Sequence, residues 1–113
     1  MTDCYVIPDA LLARCVGKRE LVRRVLAAFV DQINDDLPKL STMIADGDLL
    51  ATEKAAHRIK GSAANVAADD LRVLAERLEA GARDGMQGAV EETLQQFAVD
   101  WERFVNRTSE FLQ

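Results

Sequence analysis

The chain has 113 residues, of which 49% are hydrophobic and 29% are charged, a composition typical of one folded, water-soluble domain. Its formal net charge of -5 disfavours nucleic-acid binding, which needs a basic face, and no apolar run approaches the roughly 20 residues that cross a membrane. The N-terminus lacks the basic and apolar regions of a secretory signal, so we expect a cytoplasmic protein.

The two cysteines, Cys4 and Cys15, do not have the spacing of a metal or redox motif. Because the chain has a single histidine and two scattered thiols, we expect neither a metal site nor a cofactor. Cys15 is predicted to be a small buried apolar residue and Cys4 to be incidental. A disulfide between them is not favoured in a reducing compartment.

The N-terminal third is predicted to form a short helix and a long one. The short helix covers residues 10–16, between a possible capping residue, Asp9, and Gly17, and lies over the end of a bundle. The long helix runs from about Arg19 to Ala45, and Pro38 predicts a kink or a brief break in it near residues 35–36. Its apolar residues keep near-heptad spacing: Val22, Leu26, Phe29, Ile33, Leu37, Leu40 and Ile44.

The only histidine lies in the next predicted helix, which runs from about Leu49 to Val66 with Asp48 as its N-cap. At roughly 100° per residue, His57 lies about 200° from Ile59, so the imidazole is predicted to point away from the core. The apolar face recurs at steps of four and three: Thr52, Ala56, Ile59, Ala63 and Val66.

The last two helices follow a turn at residues 67–68. Asp69 and Asp70 can cap the first of them, and residues 81–88, with three glycines, are interpreted as a helix end plus a turn. The first helix has Leu71, Leu74 and Leu78 on its core face. The last helix carries most of the aromatic residues on one stripe, which indicates core packing rather than a cofactor site: Val90, Leu94, Phe97, Trp101, Phe104, Thr108 and Phe111.

Four long helices with short connections predict an all-α fold, an antiparallel up-down-up-down four-helix bundle with a short N-terminal capping helix. We expect residues 1–113 to form a single domain and the protein to be a monomer.

The surface around His57 combines one positive charge with very little side-chain bulk. Lys60, Gly61 and Ala64 follow at i+3, i+4 and i+7, which are neighbouring positions on a helix surface. Glycine inside a helix costs about 1 kcal/mol relative to alanine, so we interpret Gly61 as allowing close approach to the imidazole. The alternative is that Gly61 ends the helix and Ser62 caps a new one.

Three further residues flank this exposed face. Lys54 and Arg58 can steer an acidic partner, although both are also explained as ordinary solvated charges, and Ala64 is a candidate docking residue. Ser62 is predicted to pack or to hydrogen-bond to the backbone.

The run His57-Arg58-Ile59-Lys60-Gly61-Ser62-Ala63-Ala64-Asn65 resembles the signature of histidine-containing phosphotransfer (HPt) domains, helical bundles that relay phosphoryl groups in two-component phosphorelays. The resemblance implies that His57 is the phosphoacceptor and that Lys60 and Gly61 support the phosphoryl group. It implies receiver domains of response regulators and a hybrid sensor histidine kinase as partners. The chain departs from the family at residues 66–68, where the family often has glycine, and this bears on the loop geometry rather than the chemistry.

The chemistry of the site fits a carrier. A neutral imidazole has a nitrogen lone pair that can act as a nucleophile, and Lys60 can offset the charge of the phosphorylated ring. The sequence has no ATP-binding motif, and the helix carries no second acid or base set against His57. By the resemblance, the receiver domain supplies Mg²⁺. The alternatives are a helical docking module without phosphorylation and, more weakly, an enzyme that uses His57 as a general base.

Overall fold

The structure is a computed structural model that describes residues 5–113, so Cys4 lies outside the described residues. The described part of the chain folds into helices connected by short turns, which confirms the all-α prediction. Its five helices are α1 (Asp9–Arg14), α2 (Arg19–Ala45), α3 (Leu49–Asn65), α4 (Asp69–Arg83) and α5 (Gln87–Thr108). None of these helices is both long enough and apolar enough to cross a membrane.

The four long helices form a closed antiparallel bundle. α3 packs between α2 and α4, α4 packs on α5, and α5 returns to α2. Two hydrogen bonds fix the direction of α5 against α2. At one end Gln87 donates to the carbonyl of Ile44 (2.7 Å), and at the other Arg23 donates to the carbonyl of Phe111 (3.0 Å). The up-down-up-down topology is therefore confirmed.

The core consists of the predicted apolar stripes. The five residues of the α3 stripe are at most 3% exposed, and Cys15 is buried as expected. The aromatic stripe of α5 packs against α2, where Phe29 makes edge contacts with Trp101 (5.5 Å between centroids) and Phe104 (5.6 Å). Trp101 also donates to Asn34 of α2 (2.9 Å), so its indole N–H is satisfied. The core-packing interpretation of this stripe is confirmed.

Pro38 does not break α2, which is continuous from Arg19 to Ala45. The break predicted near residues 35–36 is therefore wrong, whereas a kink there stays a prediction. Pro38 lies on the exposed side, whereas Ile33 and Leu40 on either side of it are fully buried. Core packing of this apolar face outweighs the loss of one backbone hydrogen bond at the surface.

The predicted helix caps were partly right. Asp48 caps α3, since its Oδ1 accepts a hydrogen bond from the backbone N–H of Ala51 (3.1 Å). Asp9 does not cap α1, and neither Asp69 nor Asp70 caps α4. All three lie inside the first turns of their helices. Their charges still favour these positions, because the helix N-terminus carries a partial positive charge.

The glycine-rich stretch at residues 81–88 contains a helix end and a turn, as predicted. α4 ends at Arg83, residues 84–86 form the turn, and α5 begins at Gln87. Gly81 lies at the contact of α4 with α5, where an added Cβ would lie 3.0 Å from Cγ2 of Val90 and would require that side chain to shift. The lack of a side chain lets α4 and α5 approach each other closely.

The turn after α3 is closed without a glycine. Ala67 takes the left-handed conformation (φ 55°), and the N–H of Ala68 bonds to the carbonyl of Ala63 (2.9 Å), which is the pattern of a helix C-cap that glycine usually completes. Arg14 of α1 donates to the carbonyls of Ala64 (2.8 Å) and Asn65 (2.9 Å). The short N-terminal helix therefore caps the histidine-bearing helix directly.

Candidate functional site

His57 lies in the middle of α3 and points into solvent. Its side chain is 68% exposed, whereas Ile59 is fully buried. The orientation expected from helical periodicity is confirmed. The bundle thus presents its only histidine on an outer helix surface.

Gly61 lies inside α3, which continues to Asn65. The alternative in which Gly61 ends a helix is wrong, because the stripe of buried residues continues past it and holds the helix together. A Cβ at Gly61 would meet no atom within 4 Å, and Ala64 follows as a small, partly exposed residue. The helix surface on the C-terminal side of the imidazole therefore carries no large side chain and is open to solvent.

Glu79 of α4 contacts the imidazole, and the sequence interpretation missed it. Its side chain is only 10% exposed, and its Oε2 lies 2.6 Å from Nδ1 of His57. Its other oxygen, Oε1, accepts a hydrogen bond from Nζ of Lys60 (2.6 Å). An acid is thus set against His57 after all, from the neighbouring helix rather than from its own.

The charge of Glu79 is stabilised by its neighbours. The hydrogen bond from Lys60 is the largest cause that holds the pKa of Glu79 below its ordinary value. Burial acts in the opposite direction, and the hydrogen bond with His57 adds to the lowering. Glu79 is therefore a carboxylate at neutral pH and can only accept hydrogen bonds.

Arg58 and Lys60 are both held by carboxylates buried beside α3. Arg58 donates to Oδ1 of Asp36 on α2 (3.1 Å), a carboxylate that is 9% exposed, just as Lys60 donates to Glu79 on α4. Arg83 of α4 extends the second group, since it lies 3.9 Å from Glu79. Arg58 and Lys60 are therefore both paired with carboxylates from neighbouring helices.

Lys54 differs from Arg58, although both were predicted as docking residues. It is exposed, and none of the ion pairs in the described part of the chain includes it. It belongs to a row of exposed or partly exposed positions on α3, which we call the histidine ridge: Leu50, Lys54, His57, Gly61 and Ala64. Leu50 is 63% exposed, so the ridge has an apolar end that sequence reasoning did not single out.

Ser62 bonds to the backbone as expected, through the carbonyl of Arg58 (3.2 Å). It also donates to Gln32 of α2 (3.0 Å), whose amide reaches Asp36 (3.3 Å). These contacts connect the surface beside His57 to α2.

His57 lies outside the two best-formed cavities of the described residues. One cavity among residues 5–113 has a volume of about 640 Å³ and lies between the N-terminal segment, the turn after α3, and α5. None of the histidine-ridge residues borders it. The same residues contain no cluster of three or more side chains suited to holding a metal ion.

These features define a helical bundle that presents one histidine on an open helix surface. The family model described as the Hpt domain matches residues 24–109, about three-quarters of the chain, and the chain belongs to that family. Comparisons with curated proteins and with solved structures gave no match. Hpt domains take part in histidine phosphotransfer in phosphorelays, as carriers rather than kinases, so the resemblance in the His57–Asn65 run is confirmed at the level of the family.

Proposed function

We propose that this protein accepts a phosphoryl group on His57 from an aspartyl phosphate of one receiver domain and passes it to an aspartate of another. The observation that carries the proposal is the 68% exposed imidazole beside the open surface at Gly61. A phosphoryl group bound to a second protein must come within bonding distance of the nucleophile, and this surface leaves room for it.

We propose that this protein and the receiver domain contribute different groups to phosphoryl transfer. His57 supplies the nucleophile, and Lys60, 31% exposed and one turn away, offsets negative charge near the ring. The receiver supplies Mg²⁺, which neutralises the transferring phosphoryl group. We propose no metal or cofactor for this chain.

The position of His57 favours a carrier over an enzyme with its own small substrate. Enzymes enclose their substrates in pockets, and the 640 Å³ cavity in the described part of the chain lies away from the histidine ridge. An open ridge suits a nucleophile that enters the active site of another protein. We therefore propose a phosphoryl carrier without catalytic activity of its own.

The proposed partners are response-regulator receiver domains and, upstream, a hybrid sensor histidine kinase, all in the cytoplasm. We propose that the monomer docks them through the histidine ridge, where Lys54 meets an acidic group and Ala64 permits close contact. Arg58 contributes less, because its charge is already balanced by Asp36.

Transfer from a phosphorylated receiver domain tests the proposal. We expect the protein to acquire an acid-labile, base-stable phosphate, and the His57→Gln variant to acquire none while keeping its helical circular-dichroism spectrum. Glu102→Gln, an exposed change on α5, is the matched control and should be labelled normally. A protein that binds the receiver but stays unlabelled would instead be a docking module.

A further inference from the structure

We infer that the 640 Å³ cavity binds a small zwitterion, a molecule with an apolar body, one ammonium group and one carboxylate group, such as a free amino acid or a short peptide. The inference goes beyond the proposed function and does not depend on it, because no residue of the histidine ridge borders this cavity.

The walls of the cavity are held in place by contacts within the bundle. In the N-terminal segment, the ring of Tyr5 packs on Phe111 (5.4 Å between centroids), and the carbonyl of Pro8 accepts a hydrogen bond from the N–H of Leu12 (3.0 Å). The turn after α3 is fixed by the hydrogen bonds that Arg14 donates to its carbonyls. The cavity is therefore formed before a ligand binds, as sites for small molecules usually are.

Part of the lining is apolar surface that belongs to the core. Val66, Leu71 and Phe104 border the cavity, and each is a member of the buried hydrophobic cluster. A ligand whose apolar body covers this surface removes it from water, which favours binding. The cavity thus has a place for the uncharged part of a ligand.

The charged part of the lining has opposite signs on different helices. Arg103 and Arg107 come from α5, one turn apart, whereas Asp69 and Asp70 come from the first turn of α4. None of the ion pairs among residues 5–113 joins either aspartate to either arginine. Each side of the cavity is therefore available for a ligand group of the opposite charge.

This arrangement of charges selects the class of ligand. Together with Asp100, the lining contains three carboxylates and two guanidinium groups. A phosphate or a nucleotide would face the carboxylates, and a simple cation would face the guanidinium groups, so each would meet repulsion. A zwitterion can place its carboxylate on the arginine side and its ammonium group on the aspartate side.

Arg107 is the principal anchor for the ligand carboxylate. Arg103 lies 3.9 Å from Asp100, which partly balances its charge, whereas Arg107 takes part in none of the ion pairs of the described residues. Burial raises the pKa of Tyr5 to about 12, and the charge of Arg107 acts in the opposite direction, so Arg107 lies close to a ring that borders the cavity. A guanidinium group there can bind a carboxylate through two parallel hydrogen bonds.

Titration with L-phenylalanine and L-leucine, followed by ¹⁵N–¹H NMR of the backbone, tests the inference. We expect the amide signals of Ala67, Ala68 and Leu71 to shift with ligand concentration and those of the histidine ridge to stay unchanged. N-acetyl-phenylalanine lacks the ammonium group and 2-phenylethylamine lacks the carboxylate, so each should bind about tenfold more weakly than phenylalanine. Glycyl-phenylalanine has its charges farther apart, and tighter binding of this dipeptide would identify the ligand as a short peptide.

Variants of the two charged sides show which group each side binds. Arg107→Gln should weaken phenylalanine binding about tenfold and leave binding of 2-phenylethylamine unchanged, because that compound has no carboxylate. Asp69→Asn combined with Asp70→Asn should weaken phenylalanine binding and spare N-acetyl-phenylalanine. Arg24→Gln, a change to an exposed arginine outside the cavity, is the matched control and should bind normally. Thermal melting confirms that each variant is folded.

Two results would overturn the inference. The first is that neither phenylalanine nor leucine shifts the cavity signals of the unaltered protein at millimolar concentration, which requires no variant to fold. The second is that either compound with a missing charge binds as tightly as phenylalanine. His57→Gln should bind phenylalanine normally, so a failure of phosphoryl transfer and a failure of ligand binding are separate results.

Discussion

At the scale of single residues, the site is asymmetric about His57. Gly61 and Ala64 leave open space on one side, whereas Glu79 fills the other and binds Nδ1. A partner can therefore approach from the open side while the ring is held from the buried side. Substitutions at single residues can therefore test partner approach, surface charge and folding stability separately.

Replacing Gly61 with glutamine should separate docking from folding. Because Gly61 is inside a helix and a Cβ there meets nothing within 4 Å, the variant should gain up to about 1 kcal/mol of stability. The new side chain would stand where we propose that a receiver approaches, so transfer from the receiver should slow severely. Labelling by phosphoramidate should change much less, because this donor is small.

Thermal melting and both transfer rates on the same variant check this prediction. Gly88→Gln is the control, since Gly88 is also an exposed helical glycine with open space but lies on α5. A stable Gly61→Gln variant with normal transfer from the receiver would contradict the close-approach role of Gly61.

Lys54 and Arg58 should behave differently when each is replaced with glutamine. Lys54→Gln should weaken receiver docking, measured as a higher KM whose difference from the unaltered protein shrinks at high salt, and should leave stability unchanged. Arg58→Gln leaves Asp36 with less compensation and should cost about 1 kcal/mol of unfolding free energy. If both changes raise KM equally and neither lowers stability, the ion pair between Arg58 and Asp36 does not contribute to the fold.

At the scale of helices, α3 is the best-supported element. Asp48 caps its N-terminus, and Arg14 binds carbonyls at its C-terminus. Buried Asp36 and Glu79 connect it to α2 and α4. The helix that carries His57 is thus held at both ends and on both sides, which limits movement of His57.

The turn after α3 contains a strained residue that glycine should relieve. Ala67 has a φ of 55°, a conformation that costs a residue with a Cβ about 1 kcal/mol, so Ala67→Gly should raise the unfolding free energy by about that amount. Ala28→Gly is the control: Ala28 is an exposed residue inside α2, so glycine there should lower the unfolding free energy by about 1 kcal/mol. Urea denaturation of both variants measures the difference, and equal effects would argue against strain at Ala67.

At the scale of the whole molecule, the buried carboxylate of Glu79 links stability to pH. Its pKa in the folded protein is lowered from 4.5, so it contributes stability that is present above that value and is lost as the pH falls through the folded pKa. The unfolding free energies of the unaltered protein and the Glu79→Gln variant should therefore differ most above pH 4.5 and converge below it. Urea denaturation across this range is the measurement, and a difference that stays constant with pH would contradict the stabilised charge.

Periodicity of apolar residues was enough to predict the helices and the exposure of His57, because burial of one helix face depends mainly on local spacing. It did not predict that α2 passes through Pro38 without a break. There the packing of neighbouring helices outweighs a local preference, and single-helix reasoning contains no information on that packing.

The sequence by itself determined the bundle, the family to which the chain belongs, and a histidine on an outer helix face beside a glycine. Only the tertiary structure decided the environment of that histidine. Glu79 lies 22 residues away on another helix, and its approach to Nδ1 depends on how α3 and α4 pack. The same packing pairs Lys60 with Glu79 and Arg58 with Asp36, and leaves Lys54 exposed. Charges interact through space, so their pairing follows from the distances between folded helices and not from spacing along the chain.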